Sequence, residues 1–213
     1  MTTVIEKFES QIAEHAFAVS LKDADPSHDH LHLKRVVGWA RKLAILENAK
    51  LDVVIPAAYL HDIVNLPKDH SDRKLASVES AREATRFLRN IHYPTEFISE
   101  ITHAIEAHSF SGGIAPTTIE AKIVQDADRL DALGAIGAAR CFCISGRLSR
   151  PFYSEADPLA LHREPDDRSN TLDHFFVKLY GLQESLNTRS AQVEGTRRVE
   201  FLKAFAEQLA SEI

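Results

Sequence analysis

Cysteine is nearly absent. Cys141 and Cys143 are the only two in 213 residues, and one residue apart they point to different sides of a helix, which excludes both a disulfide framework and a zinc clip. Reduced thiols in a cytoplasmic protein are the expectation. Long hydrophobic runs are absent too: the least polar stretch, 132–144, is interrupted by Arg140 and is too short to span a bilayer. The first residues carry no basic flank followed by an apolar segment. A soluble, unexported chain with no membrane partner is expected. Positive charge is also scarce. With 25 Lys and Arg against 31 Asp and Glu, net −6, there is no broad basic surface to neutralise nucleic-acid phosphates. A small anionic substrate in a local pocket remains open. Finally, no alternating β-branched stretch is long enough to make a strand.

What is present is helical periodicity. With 44% hydrophobic residues the chain can bury one good core, so a single domain over 1–213 is expected. Ile5, Phe8, Ile12, Phe17 and Val19 predict an amphipathic helix from Thr3 to Leu21. A second is predicted from His28 to Glu47, with Ser27 as its cap and Asp29 in its first turn. Others are predicted over Asp52–Val64, Lys74–Asn90, Pro94–His108 and Thr117–Ser145. After a charged excursion, two more follow at Thr171–Asn187 and Ala191–Ile213. The fold class is all-α, without internal repeats, and oligomeric state leaves no mark.

Polar groups stand where the pattern asks for a core. His61-Asp62 closes the apolar run Val53–Leu60, and buried polar groups must be paired or coordinated. A divalent cation would satisfy both. In the second helix His32 belongs to the inward stripe with Val36 and Trp39, whereas His30 lies off it. In the long helix after Gly113, Asp128 and Asp131 share one face in an apolar neighbourhood. The bland alternatives are a solvated or capping histidine, and carboxylates paired with Arg129 or Arg140.

These residues resemble the HD-domain superfamily of metal-dependent phosphohydrolases. Its pattern of a histidine, a His-Asp pair and a distant aspartate looks like His32, His61-Asp62 and Asp128. The contexts Asp29-x-x-His32-x-x-Arg35-Val36, Ala58-Tyr59-Leu60-His61-Asp62-Ile63 and Asp126-Ala127-Asp128-Arg129-Leu130-Asp131 sharpen it. The resemblance covers roughly residues 25–150, with the C-terminal helices of 171–213 as scaffold. It is similar above all to small bacterial single-domain members, which implies hydrolysis of nucleoside phosphates, including pyrophosphate release from triphosphates. It implies His32, His61, Asp62 and Asp128 as metal ligands, with Asp62 also acting in catalysis.

Two imidazoles and two carboxylates leave positions open on an ion and suit manganese, magnesium, iron, cobalt or nickel better than a closed zinc site. Such an ion polarises a phosphate oxygen and lowers the pKa of a bound water. His103 and His108 are candidates for a second metal, for phosphate binding or for protonating the leaving group. Within this reading His103 and Asp131 join Asp62 as catalytic candidates, and His108 is a substrate-binding one. Lys68 and Arg73, shortly after the His-Asp pair, could neutralise phosphate oxygens of a nucleotide or similar phosphorylated metabolite. The competing functions are a non-catalytic metal- or nucleotide-binding signalling module and a di-iron oxygenase.

Overall fold

The computed structural model describes residues 3–21, 29–64, 75–109 and 112–213. Among them the regular structure is entirely helical. Two compact units form, Met1–Asp128 and Arg129–Ile213.

The first unit holds α1 (Val4–Ser20), α2 (His30–Leu46), α3 (Leu51–Leu60), α4 (Ala76–Asn90), α5 (Thr95–His108) and most of α6 (Ile119–Asp131). At its centre is α3, with Val53, Val54, Ile55, Ala57, Ala58 and Leu60 all fully buried. A helix apolar all round must be enclosed, and α1, α2 and α5 pack around this one. Each fully buried Val, Leu or Ile contributes about 1.5–3 kcal/mol by leaving water. Pro56 lies inside α3 and lacks the N–H that would reach the Asp52 carbonyl one turn back. The Tyr93 hydroxyl takes that place, donating to the Asp52 carbonyl at 2.7 Å. The Asp52 side chain accepts from the Ile5 amide at 2.8 Å and so fixes the start of α1.

Three helix limits differ from expectation. The described cap of α2 is Asp29, whose Oδ1 accepts from the amides of Leu31 and His32, both at 3.0 Å; Ser27 lies outside the described residues. Instead of reaching Val64, α3 stops at Leu60. His61 and Asp62 therefore stand in the turn after the helix. The third difference is that 117–145 is not one helix: α6 ends at Asp131, and α7 (Gly134–Arg147) begins after extended backbone at Leu133. Glycine makes the break possible. Gly134 has φ of +70°, and a Cβ on Gly137 would lie 2.2 Å from the Ala132 carbonyl oxygen.

In the second unit α7 packs against α9 (Arg189–Ser211). The helix expected over 171–187 is a composite: a π-helical stretch Phe175–Leu179, an α-turn α8 (Tyr180–Leu182) and a 3₁₀ turn Gln183–Ser185. The loop before it is held by Asp173, fully buried, which receives both arms of the Arg163 guanidinium at 2.5 and 2.7 Å and the Asp166 amide at 2.6 Å. Burial pushes the Asp173 carboxyl up, but these donors outweigh it and hold it below the usual carboxylate range. A depressed pKa contributes stability above the unfolded value near 4, which is lost as pH falls through the folded value. Asp173→Asn is therefore expected to cost about 2–3 kcal/mol at pH 7, with Arg163 partly solvated. The gap from wild type should narrow below about pH 4. Urea denaturation at pH 7 and pH 3 measures both, and a gap independent of pH would contradict this role.

Candidate metal centre

His61 follows the last residue of α3, and its ring is fully buried. Its Nδ1 lies 2.8 Å from the Ala58 carbonyl. A carbonyl only accepts, so Nδ1 carries the proton and Nε2 presents its lone pair inward. That Nε2 is buried and has no hydrogen-bond partner among the described residues.

His108, the last residue of α5, repeats the device. Its Nδ1 donates to the Ile105 carbonyl at 2.7 Å, and its Nε2 lies 3.3 Å from Asp62 Oδ1. Asp62 Oδ2 is in turn 3.6 Å from His61 Nε2. On the far side of His61, His32 projects from the buried face of α2, with Nε2 3.7 Å from Asp128 Oδ1 on α6. Two overlapping groups result, His32 with His61 and Asp128, and His61 with Asp62 and His108, each with its atoms within 4.8 Å of one another. His61 belongs to both.

Electrostatics follow from this crowding. Burial, opposed by the carboxylates, drives the His61 imidazole below its ordinary pKa and favours the neutral form. Burial would raise Asp62, but the adjoining His61, His108 and His32 overcome it and keep the carboxyl far below the usual range. Burial would lower His108; its bond to Asp62 and that charge reverse the direction and raise it. The centre thus sets the neutral nitrogen of His61 beside the anionic Asp62 carboxylate, with His108 favoured in its protonated form. An inward, buried nitrogen lone pair lacking a donor and flanked by carboxylates is what a divalent cation satisfies. The donor set fits one.

The other sequence candidates are placed as follows. His103 accepts from the Thr117 amide at 3.1 Å and its hydroxyl at 2.9 Å; α5 is unbroken between it and His108, and five residues of helix turn the two side chains apart. Asp131 is buried and bonded to Arg140 at 2.8 Å. Arg140 also bonds the Asp131 backbone carbonyl, and Arg198 that of Leu130, so the C-terminal end of α6 is satisfied by guanidinium groups. Lys68 and Arg73 lie outside the described residues. His30 joins neither group.

Sequence reasoning passed over Gln125. It is buried one turn before Asp128, and its Nε2 donates to the Ala107 carbonyl at 2.7 Å. The bond ties α6 to the end of α5, beside His108. The available signal was its spacing: an amide three residues from Asp128 on an inward face needs a buried acceptor.

This fold matches that of known proteins. The HD domain family profile matches residues 30–133. The Bacillus subtilis protein YpgQ is 32% identical over 197 residues, which make up 91% of this chain and 88% of that protein. The chain belongs to the HD domain family. The crystal structure of B. subtilis YpgQ in complex with ADP superposes with a TM-score of 0.75 at 31% identity, covering 99% of this chain and 97% of that one. An HD-superfamily hydrolase from Bacillus thuringiensis gives a TM-score of 0.76 at 32% identity, covering 99% and 98%. Among the described residues no helix is long and apolar enough to cross a membrane.

Proposed function

We propose that this chain is a divalent-metal-dependent phosphohydrolase acting on a nucleotide or a related small phosphorylated metabolite. One observation carries the reading: the Nε2 lone pair of His61, buried without a hydrogen-bond partner among the described residues and flanked by Asp62 and by His32 with Asp128. In this reading His32, His61, Asp62 and Asp128 hold the ion, with manganese the first choice among oxygen- and nitrogen-loving divalent metals. When bound, the ion supplies Lewis acidity toward a phosphate oxygen and an acidified water.

The protein's own groups then take these roles. The Nδ1 bonds of His61 and His108 to carbonyls three residues back hold both rings in the orientation that presents Nε2. Asp62, with 40% of its side chain exposed, is the carboxylate able to meet a water at the phosphorus. His108 Nε2, alongside, can donate to a phosphoryl oxygen or to the leaving group. Asp131 is engaged by Arg140 and takes no part. His108 could equally serve a second ion, because it shares His61 and Asp62 in the second cluster of donors.

The net charge of −6 repels a polyphosphate at long range, so binding must come from a local positive field. Lys68 and Arg73 are the proposed contributors. A nucleotide is supported by the ADP in the YpgQ crystal structure. The test is a screen of nucleoside mono-, di- and triphosphates with Mn²⁺, scoring phosphate and pyrophosphate separately. Hydrolysis of at least one nucleotide, abolished by EDTA and restored by Mn²⁺, is expected. Turnover that ignores chelation, or none on any phosphate ester, would overturn the reading.

A further inference from the structure

The turn that carries His61 and Asp62 is tied to a neighbouring helix. After α3 ends at Leu60, the next helical residues described are those of α4. The tie comes from α4: Ser80, fully buried, accepts from the Val64 amide at 3.1 Å and donates to the Val64 carbonyl at 3.3 Å. One hydroxyl thus meets both backbone groups of the residue two positions beyond Asp62, which lies outside the described helices. Such a clasp fixes the position and the direction of the chain at once, as one bond alone does not.

We infer that Ser80 is a positioning residue for the metal centre, setting the geometry of the His61–Val64 turn from a neighbouring helix. The inference rests on the metal-dependent reading above. His61 is already aimed by its bond to Ala58 in its own helix, so the residue most dependent on Ser80 is Asp62. That side chain is part-exposed, and its partners are two histidines at 3.3 and 3.6 Å. Loss of the clasp frees the turn to sample other directions, and the carboxylate spends less time at the centre. Outer groups that orient metal ligands commonly alter metal affinity by about 10–100-fold. Ser80 acts through the backbone rather than on a ligand atom, which places it at about tenfold.

A matched control stands one turn earlier on α4. Ser77 is also buried, but its hydroxyl has no hydrogen-bond partner among the described residues. Ser77→Ala removes the same atom at similar burial without touching the turn.

The experiment has two readouts on the full chain. In metal-free protein, hydrogen–deuterium exchange of a peptide spanning 61–64 should accelerate in Ser80→Ala and remain at wild-type rate in Ser77→Ala, with α2 and α6 unchanged in both. Isothermal titration with Mn²⁺ should then give about tenfold weaker binding for Ser80→Ala, binding within twofold of wild type for Ser77→Ala, and recovery in Ser80→Thr, which keeps the hydroxyl. Uniform acceleration throughout the first unit, or Mn²⁺ affinity unchanged in Ser80→Ala, would overturn the inference. If wild type binds no divalent ion, the metal reading itself fails. The exchange experiment then still decides whether Ser80 holds the turn.

Discussion

Asp62→Ala is expected to lower kcat/KM for a nucleotide substrate by at least about a thousandfold, or roughly 4 kcal/mol of transition-state stabilisation. The helical far-ultraviolet signal should be unchanged. The size of the loss follows from the position: one oxygen of Asp62 faces His61 Nε2 at 3.6 Å and the other faces His108 Nε2 at 3.3 Å, so its removal takes the only carboxylate from the group it forms with His61 and His108. The fold survives because the Asp62 side chain is 40% exposed and its backbone turn is held separately, by Ser80. Asp62→Asn keeps one oxygen but loses the charge, so it should fall between the two. Steady-state kinetics at saturating Mn²⁺ with parallel circular dichroism provide the check. Activity within tenfold of wild type would remove Asp62 from the chemistry.

The second large effect separates two histidines of one helix. His108→Asn should lower kcat about a hundredfold, within the range for loss of a positioned acid or base, whereas His103→Ala should stay within about threefold of wild type. Asparagine can still donate to the Ile105 carbonyl as Nδ1 does, so the change chiefly deletes Nε2. His103 spends its Nε2 on Thr117 and lies in neither donor group. Side-by-side kinetics of the two variants at fixed Mn²⁺ decide the matter, and equal losses would mean that α5 contributes to catalysis through something other than His108.

Much of this arrangement could be read from residue spacing. His32 followed from its place on the inward stripe of α2, and the fold brings it with His61 and Asp128 to within 4.8 Å. The helices α1, α2, α4, α5 and α9 lie close to their expected spans because an amphipathic period survives packing. Three things were not legible. The end of α3 at Leu60 was hidden because Ile63 and Val64 resume the apolar pattern after His61-Asp62, with no breaker before Asn65. The break at 132–134 was hidden because alanine, leucine and a lone glycine keep a helical pattern; only φ of +70° at Gly134 and the contact of Gly137 with the Ala132 carbonyl reveal it. His103 and His108 were indistinguishable as types, since their difference lies in partners distant in sequence, Thr117 for one and Asp62 for the other. Ser80 left no signal, and Gln125 only its spacing from Asp128, because a serine or glutamine on a helix acquires its role from the backbone it meets.

The central claim, that His32, His61, Asp62 and Asp128 hold one divalent ion, is tested most directly by an anomalous difference map from crystals grown with Mn²⁺. The account predicts a peak about 2.0–2.3 Å from His32 Nε2, His61 Nε2 and an oxygen of each aspartate. A map without density there, with manganese bound elsewhere or not at all, would contradict it.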